Sequence, residues 1–153
     1  MLLVRHASAG ERLPTSSLDR ERPLDRIGRA DARRLSAALA GYPVERIVTS
    51  PHRRCVETVA WFAYARGLEV EPRNELASDA SRSATVGLLD ELPLSALVCT
   101  HREVIERLFG GEVTCEKGGA WLLERHDRHW SPVAYLPPAT RVFSCLGLVA
   151  GSR

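Results

Sequence analysis

Lysine is almost missing from this chain of 153 residues: of its 21 basic side chains only Lys117 is not arginine. An anion site built here is therefore built from planar guanidinium forks rather than ammonium point charges. No apolar run approaches 18 residues, so no membrane-crossing helix is expected. No basic segment followed by an apolar one opens the chain, so no signal peptide is predicted. Cys55, Cys99, Cys115 and Cys145 form no CxxC pair and no cluster with histidine at metal-ligand spacing. Reduced, buried thiols in a cytoplasmic protein are the expectation, without a cofactor. A Gly-rich phosphate loop, a Walker lysine and a Rossmann glycine triplet are also absent, which excludes nucleotide handling through those devices. Nor does one sign of charge dominate: 19 acidic residues leave a formal net charge of +2, too balanced to require nucleic acid or a membrane surface as partner. With 44% hydrophobic and 26% charged residues, no repeat and no linker, the length predicts one soluble domain over residues 1–153. Its start close to the first strand fits a complete small protein or a domain cut from a longer one, and the oligomeric state is open.

What is present alternates strand and helix. Leu2-Leu3-Val4 predicts a buried strand that ends directly in Arg5-His6. Residues 7–22 form a polar, turn-rich loop, either a pocket wall or a plain connection. Asp25 is a suitable N-cap for a helix from about 26 to 40 closed by Gly41. Residues 46–50 predict a second strand, 53–66 a helix before Gly67, and 68–71 a short edge strand. A short helix over 85–91 and a strand over 94–100 follow, and then a helix from Val104 stopped by Gly110-Gly111. Two closing strands are predicted over 118–124 and 133–136, and residues 139–153 form a last element or a tail. This alternation implies a three-layer α/β/α sandwich around a mostly parallel sheet.

In such a sheet, ligands bind beyond the carboxyl ends of the strands. Residues 5–6, 50–54 and 101 should gather there. Two arginines and two histidines beside a helix N-terminus describe a dianion pocket. A metal is disfavoured, because no third histidine or carboxylate cluster is near in sequence and arginine repels a cation. Phosphoryl chemistry with a histidine nucleophile remains.

Four segments carry a family resemblance: Leu3-Val4-Arg5-His6-Ala7, Pro23-Leu24-Asp25-Arg26-Ile27-Gly28-Arg29-Ala30, Thr49-Ser50-Pro51-His52-Arg53-Arg54-Cys55-Val56-Glu57-Thr58 and Val98-Cys99-Thr100-His101. In this order, over residues 1 to about 110, they resemble the histidine phosphatase (phosphoglycerate-mutase-like) superfamily. The size and Arg-Pro-Leu segment are similar to small SixA-like phosphohistidine phosphatases. Cys-Thr-His with the later Lys117-Gly118-Gly119-Ala120-Trp121 resembles the phosphatase domain that follows a Nudix domain in some two-domain hydrolases. The resemblance implies a phosphoglycerate-mutase-like fold, His6 as the phosphorylated nucleophile, Arg5 and Arg54 as phosphate-binding arginines, and His101 as the second histidine at the phosphoryl group. Arg54 rather than Arg53 takes this role, because Cys55 stands where the family motif has a small residue. Ser50 and Arg102 are further candidate substrate contacts.

The chain departs from the family where many members place a proton-donating carboxylate: Leu76-Ala77 leads to Ser78. Asp79 or Glu75 is the substitute, or neither is. A missing acid matters less for a phosphoramidate, whose leaving group is better, which tilts the substrate towards phosphoramidates or activated phosphates; the expected partner is a phosphohistidine protein or a small phosphorylated metabolite or nucleotide. The implied activity is a metal-independent phosphatase. A non-catalytic phosphate-binding module and a mutase are the alternatives, the latter disfavoured by the short chain. Glu103 could pair with Arg102, or Arg102 could reach substrate. His52 at a helix start and Lys117 in a turn are expected to be exposed, His126 and His129 to lie in a polar hairpin turn, and Trp61, Trp121 and Trp130 to pack.

Overall fold

The computed structural model describes residues 1–138. The last predicted segment, 139–153, lies outside them, as does Cys145. One six-stranded sheet organises the rest, in the order β3-β2-β4-β1-β5-β6. Strands β1 (Leu2–Arg5), β2 (Arg46–Thr49), β3 (Val70–Pro72) and β4 (Ala96–Thr100) run parallel, and β5 (Ala120–His126) and β6 (His129–Leu136) close it antiparallel. The helices are α1 (Ser16–Arg20), α2 (Arg26–Ala38), α3 (Arg53–Arg66), α4 (Arg82–Glu91) and α5 (Arg102–Phe109), with one 3₁₀ turn at Asn74–Leu76.

Side chains alternate along each central strand, and that divides the core in two. Leu2, Val4, Ile47, Leu97 and Cys99 pack with Leu35, Leu39, Val59 and Phe62 of α2, its C-cap and α3. Leu3, Val48 and Val98 pack instead with Leu88 and Leu89 of α4 and Val104 and Ile105 of α5. The near-continuous apolar runs of β1 and β4 follow from this, since a central parallel strand is covered on both faces. The three-layer α/β/α architecture is the one expected.

Element ends follow local capping. Asp25 Oδ1 accepts from Gly28 N at 2.7 Å, which starts α2. Gly67, at φ 64°, takes the left-handed conformation that stops α3. Helix α2 ends two residues early, with Leu39 as C-cap in place of Gly41. The sequence reading also missed α1, whose five residues are too few for a periodic apolar signal. The closing pair of strands forms as expected, but its second strand starts earlier. β6 begins at His129, not Val133, and the turn is only Asp127-Arg128, with Asp127 at φ 54°. Pro132 interrupts the alternating pattern of β6, and an edge strand with a register shift opposite Leu122/Leu123 tolerates it.

Candidate active site

Because β1, β2 and β4 are parallel, their carboxyl ends share one edge of the sheet. Their register is tight: Arg5 pairs with Thr100 and Thr49 with Cys99. The backbone N–H of His6 donates to Thr100 O at 3.0 Å, and that of Ser50 donates to Cys99 O at 2.9 Å. Arg5-His6, Ser50 to Arg54, and His101 thus meet at one place, where a cleft of about 290 Å³ is lined by Arg5, His6, Arg54, His101, Arg12, Arg22, Arg102, Glu103, Lys117 and Gly10.

His6 is 8% exposed, and its Nδ1 lies 2.8 Å from Ala7 O. A carbonyl oxygen only accepts, so Nδ1 carries the proton and Nε2 keeps its lone pair. Burial, aided by the charges of Arg54 and Arg5 and opposed by the Ala7 hydrogen bond, pushes its pKa from 6.5 down to about 3. His101, 1% exposed, packs edge-on against His6 with ring centroids 5.3 Å apart. Burial first, then His6, Arg54 and His52, lower its pKa to about 2. Both rings are therefore neutral at ordinary pH. Arg54 NH2 lies 3.4 Å from His101 Nδ1, and a guanidinium only donates. His101 Nε2 accordingly holds the proton and donates to Ser50 Oγ at 2.8 Å. Ser50 is fully buried behind His101 and does not line the cleft.

The two arginines are anchored by one arm each. Arg5 NH1 donates to Cys115 O at 2.7 Å. Arg54 NH1 donates to Asp19 O at 2.7 Å and pairs with Asp19 Oδ2 at 3.3 Å. The buried Nε–H groups of both have no partner among the described residues. A buried unsatisfied donor is costly, so this pair marks where an anion belongs. Asp19 itself sits on α1, whose N-cap is Thr15. Burial opposes its charge, but the Leu13 N–H, Arg22 and Arg54 outweigh it and hold the carboxyl below its ordinary pKa. Arg22 is fixed by Asp19 Oδ1 at 2.8 Å and by the carbonyls of Ala9 and Gly10. Neither Asp19 nor Arg22 was found from sequence. Thr15 three residues before Leu18 was the available signal, as a helix start.

Two glycines shape the walls. A Cβ on Gly28 would lie 1.9 Å from Ser8 O, so only glycine lets α2 approach the segment after β1. Gly118, at φ 77°, donates its N–H to Arg5 O and His6 O and turns the chain so that Lys117 reaches the cleft. Lys117 is exposed as expected, yet it faces the site. His52, expected to be exposed, is only 7% so. The helix start that carries it is covered, its ring packs edge-on on His101 at 4.6 Å, and burial first, then Arg54, lower its pKa to about 4.

The expected proton donors do not reach the cleft. Asp79 is exposed and outside the lining, and Glu75 is paired with Arg73 at 2.6 Å. Arg102 lines the cleft but pairs with Glu106 at 3.6 Å, not with Glu103. Among the described residues no group of three or more His, Cys, Asp or Glu is placed to hold a metal, and His126 pairs with Glu124 at 3.3 Å. Cys55, Cys99 and Cys115 are free and buried. No helix among the described residues is long and apolar enough to cross a membrane.

Several known proteins are similar to this chain in sequence or fold. The model of the histidine phosphatase superfamily (branch 1) matches residues 1–78. An 8-oxo-(d)GTP phosphatase of Mycolicibacterium smegmatis is 30% identical over 90% of this chain and 48% of its own length. The chain therefore spans about half the length of that curated relative. Among solved structures, the protein histidine phosphatase SixA complexed with tungstate superposes with a TM-score of 0.73 at 19% identity, covering 91% of this chain and 97% of that one. A mycobacterial glucosyl-3-phosphoglycerate phosphatase complexed with VO3 gives 0.71 at 15% identity, covering 90% and 98%.

Proposed function

The chain belongs to the histidine phosphatase superfamily, and from that premise we propose that it hydrolyses phosphate esters or phosphoramidates through a phosphohistidine on His6. One observation carries the proposal: the two buried, partnerless Nε–H groups of Arg5 and Arg54 beside the cleft that His6 lines. A phosphoryl group satisfies both donors while its phosphorus is offered to the Nε2 lone pair. The P–O or P–N bond to the leaving group then breaks as the Nε2–P bond forms. Water subsequently attacks phosphorus, the Nε2–P bond breaks, and phosphate leaves. Charge built up on the phosphoryl oxygens is met by guanidinium groups already in place, so little reorganisation is needed in the transition state.

The cleft holds more positive charge than one phosphoryl group calls for. Arg12, Arg22, Arg102 and Lys117 line it beside Arg5 and Arg54, against Glu103 as the one carboxylate among the described residues of the lining. Such a surplus favours a small substrate bearing more than one anionic group, such as a nucleotide, over a phosphohistidine protein. It disfavours a resident cation for the same reason.

Turnover of an aryl phosphate, followed together with acid-labile labelling of the enzyme, tests the proposal. Both are expected, and His6→Ala abolishes both. An enzyme that binds inorganic phosphate but shows neither label nor turnover would be a phosphate-binding module instead.

A further inference from the structure

Neither Asp79 nor Glu75 lines the cleft, yet among the described residues one carboxylate, that of Glu103, does. We infer that Glu103 is the catalytic base that takes a proton from the water attacking the phosphoryl group on His6. The inference rests on the phosphohistidine reading above and assigns its second half-reaction.

Asp19, Glu75, Asp79 and Glu106 are each paired or outside the cleft lining. Asp19 is bound by Arg22, Arg54 and the Leu13 N–H. Glu75 holds Arg73 through both oxygens, at 2.6 and 3.3 Å. Asp79 is exposed and does not line the cleft. Glu103 lines it, is half-buried, and has no hydrogen-bond or ion-pair partner among the described residues. Its neighbour Arg102 pairs one turn on, with Glu106, and so leaves the Glu103 oxygens free.

Position explains the choice of role. His101 is the N-cap of α5 and Glu103 stands in its first turn, so the strand end that brings the second histidine also brings the carboxylate. Its charge acts on both Arg5 and Arg54, the two guanidinium groups with partnerless Nε–H. A carboxylate placed in the cleft on the same strand end as His101 is positioned to take a proton from water attacking there. In the step assigned to it, the water oxygen bonds to phosphorus, the Nε2–P bond breaks with its electron pair returning to His6, and the water proton passes to a Glu103 oxygen. Solvent then takes that proton from Glu103.

Rapid mixing of Glu103→Gln with p-nitrophenyl phosphate tests the assignment, because that leaving group departs without an acid. A burst of nitrophenolate equal to the enzyme concentration is expected, followed by a steady rate about a hundredfold below that of the unaltered enzyme. Acid-labile phosphate should accumulate on His6. Glu103→Asp, which keeps the carboxylate, should restore part of the steady rate. Unchanged turnover overturns the assignment, and so does slow turnover with neither burst nor label in a variant that still binds inorganic phosphate. An unaltered enzyme that never labels, paired with an active His6→Ala variant, would instead refute the phosphohistidine reading itself.

Discussion

At His6 one hydrogen bond fixes the tautomer. The Ala7 carbonyl can only accept, so the proton stays on Nδ1 and the lone pair on Nε2. Comparable economy governs Arg54: one arm is held by Asp19, another lies against His101, and Nε–H has no partner among the described residues. A lysine supplies the charge but not three directed donors. Arg54→Lys should therefore lower kcat/KM for an aryl phosphate by about tenfold to a hundredfold, the cost of one or two hydrogen bonds to a charged group. Steady-state kinetics beside the unaltered enzyme checks this, and a change under twofold would contradict the assigned contact.

Among the elements, α2 has the most demanding placement. Its first turn touches the backbone of Ser8, and Asp25 ties the two together: Oδ2 accepts from Ser8 Oγ at 2.6 Å and from Gly10 N at 3.0 Å, while Oδ1 caps the helix. The loop after His6 is thus held by a helix start. Gly28→Ala drives a methyl group into Ser8 O. It should cost about 1–3 kcal/mol in urea denaturation, the usual range for overpacking, and lower activity with it, because Ser8 lies two residues from His6. Equal stability of the variant and the unaltered protein would show that α2 can shift without consequence. Helix α1 works the same way from the opposite wall, where five residues deliver Asp19 to Arg54 and Arg22.

Over the whole molecule, burial of three histidines links stability to pH. His6, His52 and His101 titrate at about 3, 4 and 2 in the folded protein and near 6.5 when unfolded. Between those limits the unfolded chain binds more protons. Stability is therefore complete above about pH 6.5 and falls as the pH drops from there towards 4. Each histidine contributes a limiting slope of about 1.4 kcal/mol per pH unit. The urea midpoint should fall clearly between pH 7 and pH 5. A midpoint constant over that interval would mean that the rings are not held neutral.

Much of this was legible in the sequence, for reasons that act over short distances. Apolar runs, the Asp25 cap and Gly67 placed the central strands and the second and third helices, because periodicity and capping operate within a few residues. Parallel strands then put Arg5, His6, Arg54 and His101 at one edge. Pairing and loop paths decided the rest. Arg5 meets Cys115 across 110 residues, Lys117 reaches the cleft only through the turn at Gly118, and His52 is buried because His101 and its surroundings cover a helix start that looks polar in isolation. Ser50 turned inward to His101, and Glu103, not Asp79 or Glu75, entered the cleft. The sequence determined which strand ends carry Arg5, His6, Arg54 and His101, since that depends on local pattern. Tertiary structure alone decided which charges face the cleft, since side-chain direction at the loops depends on contacts between segments far apart in the chain.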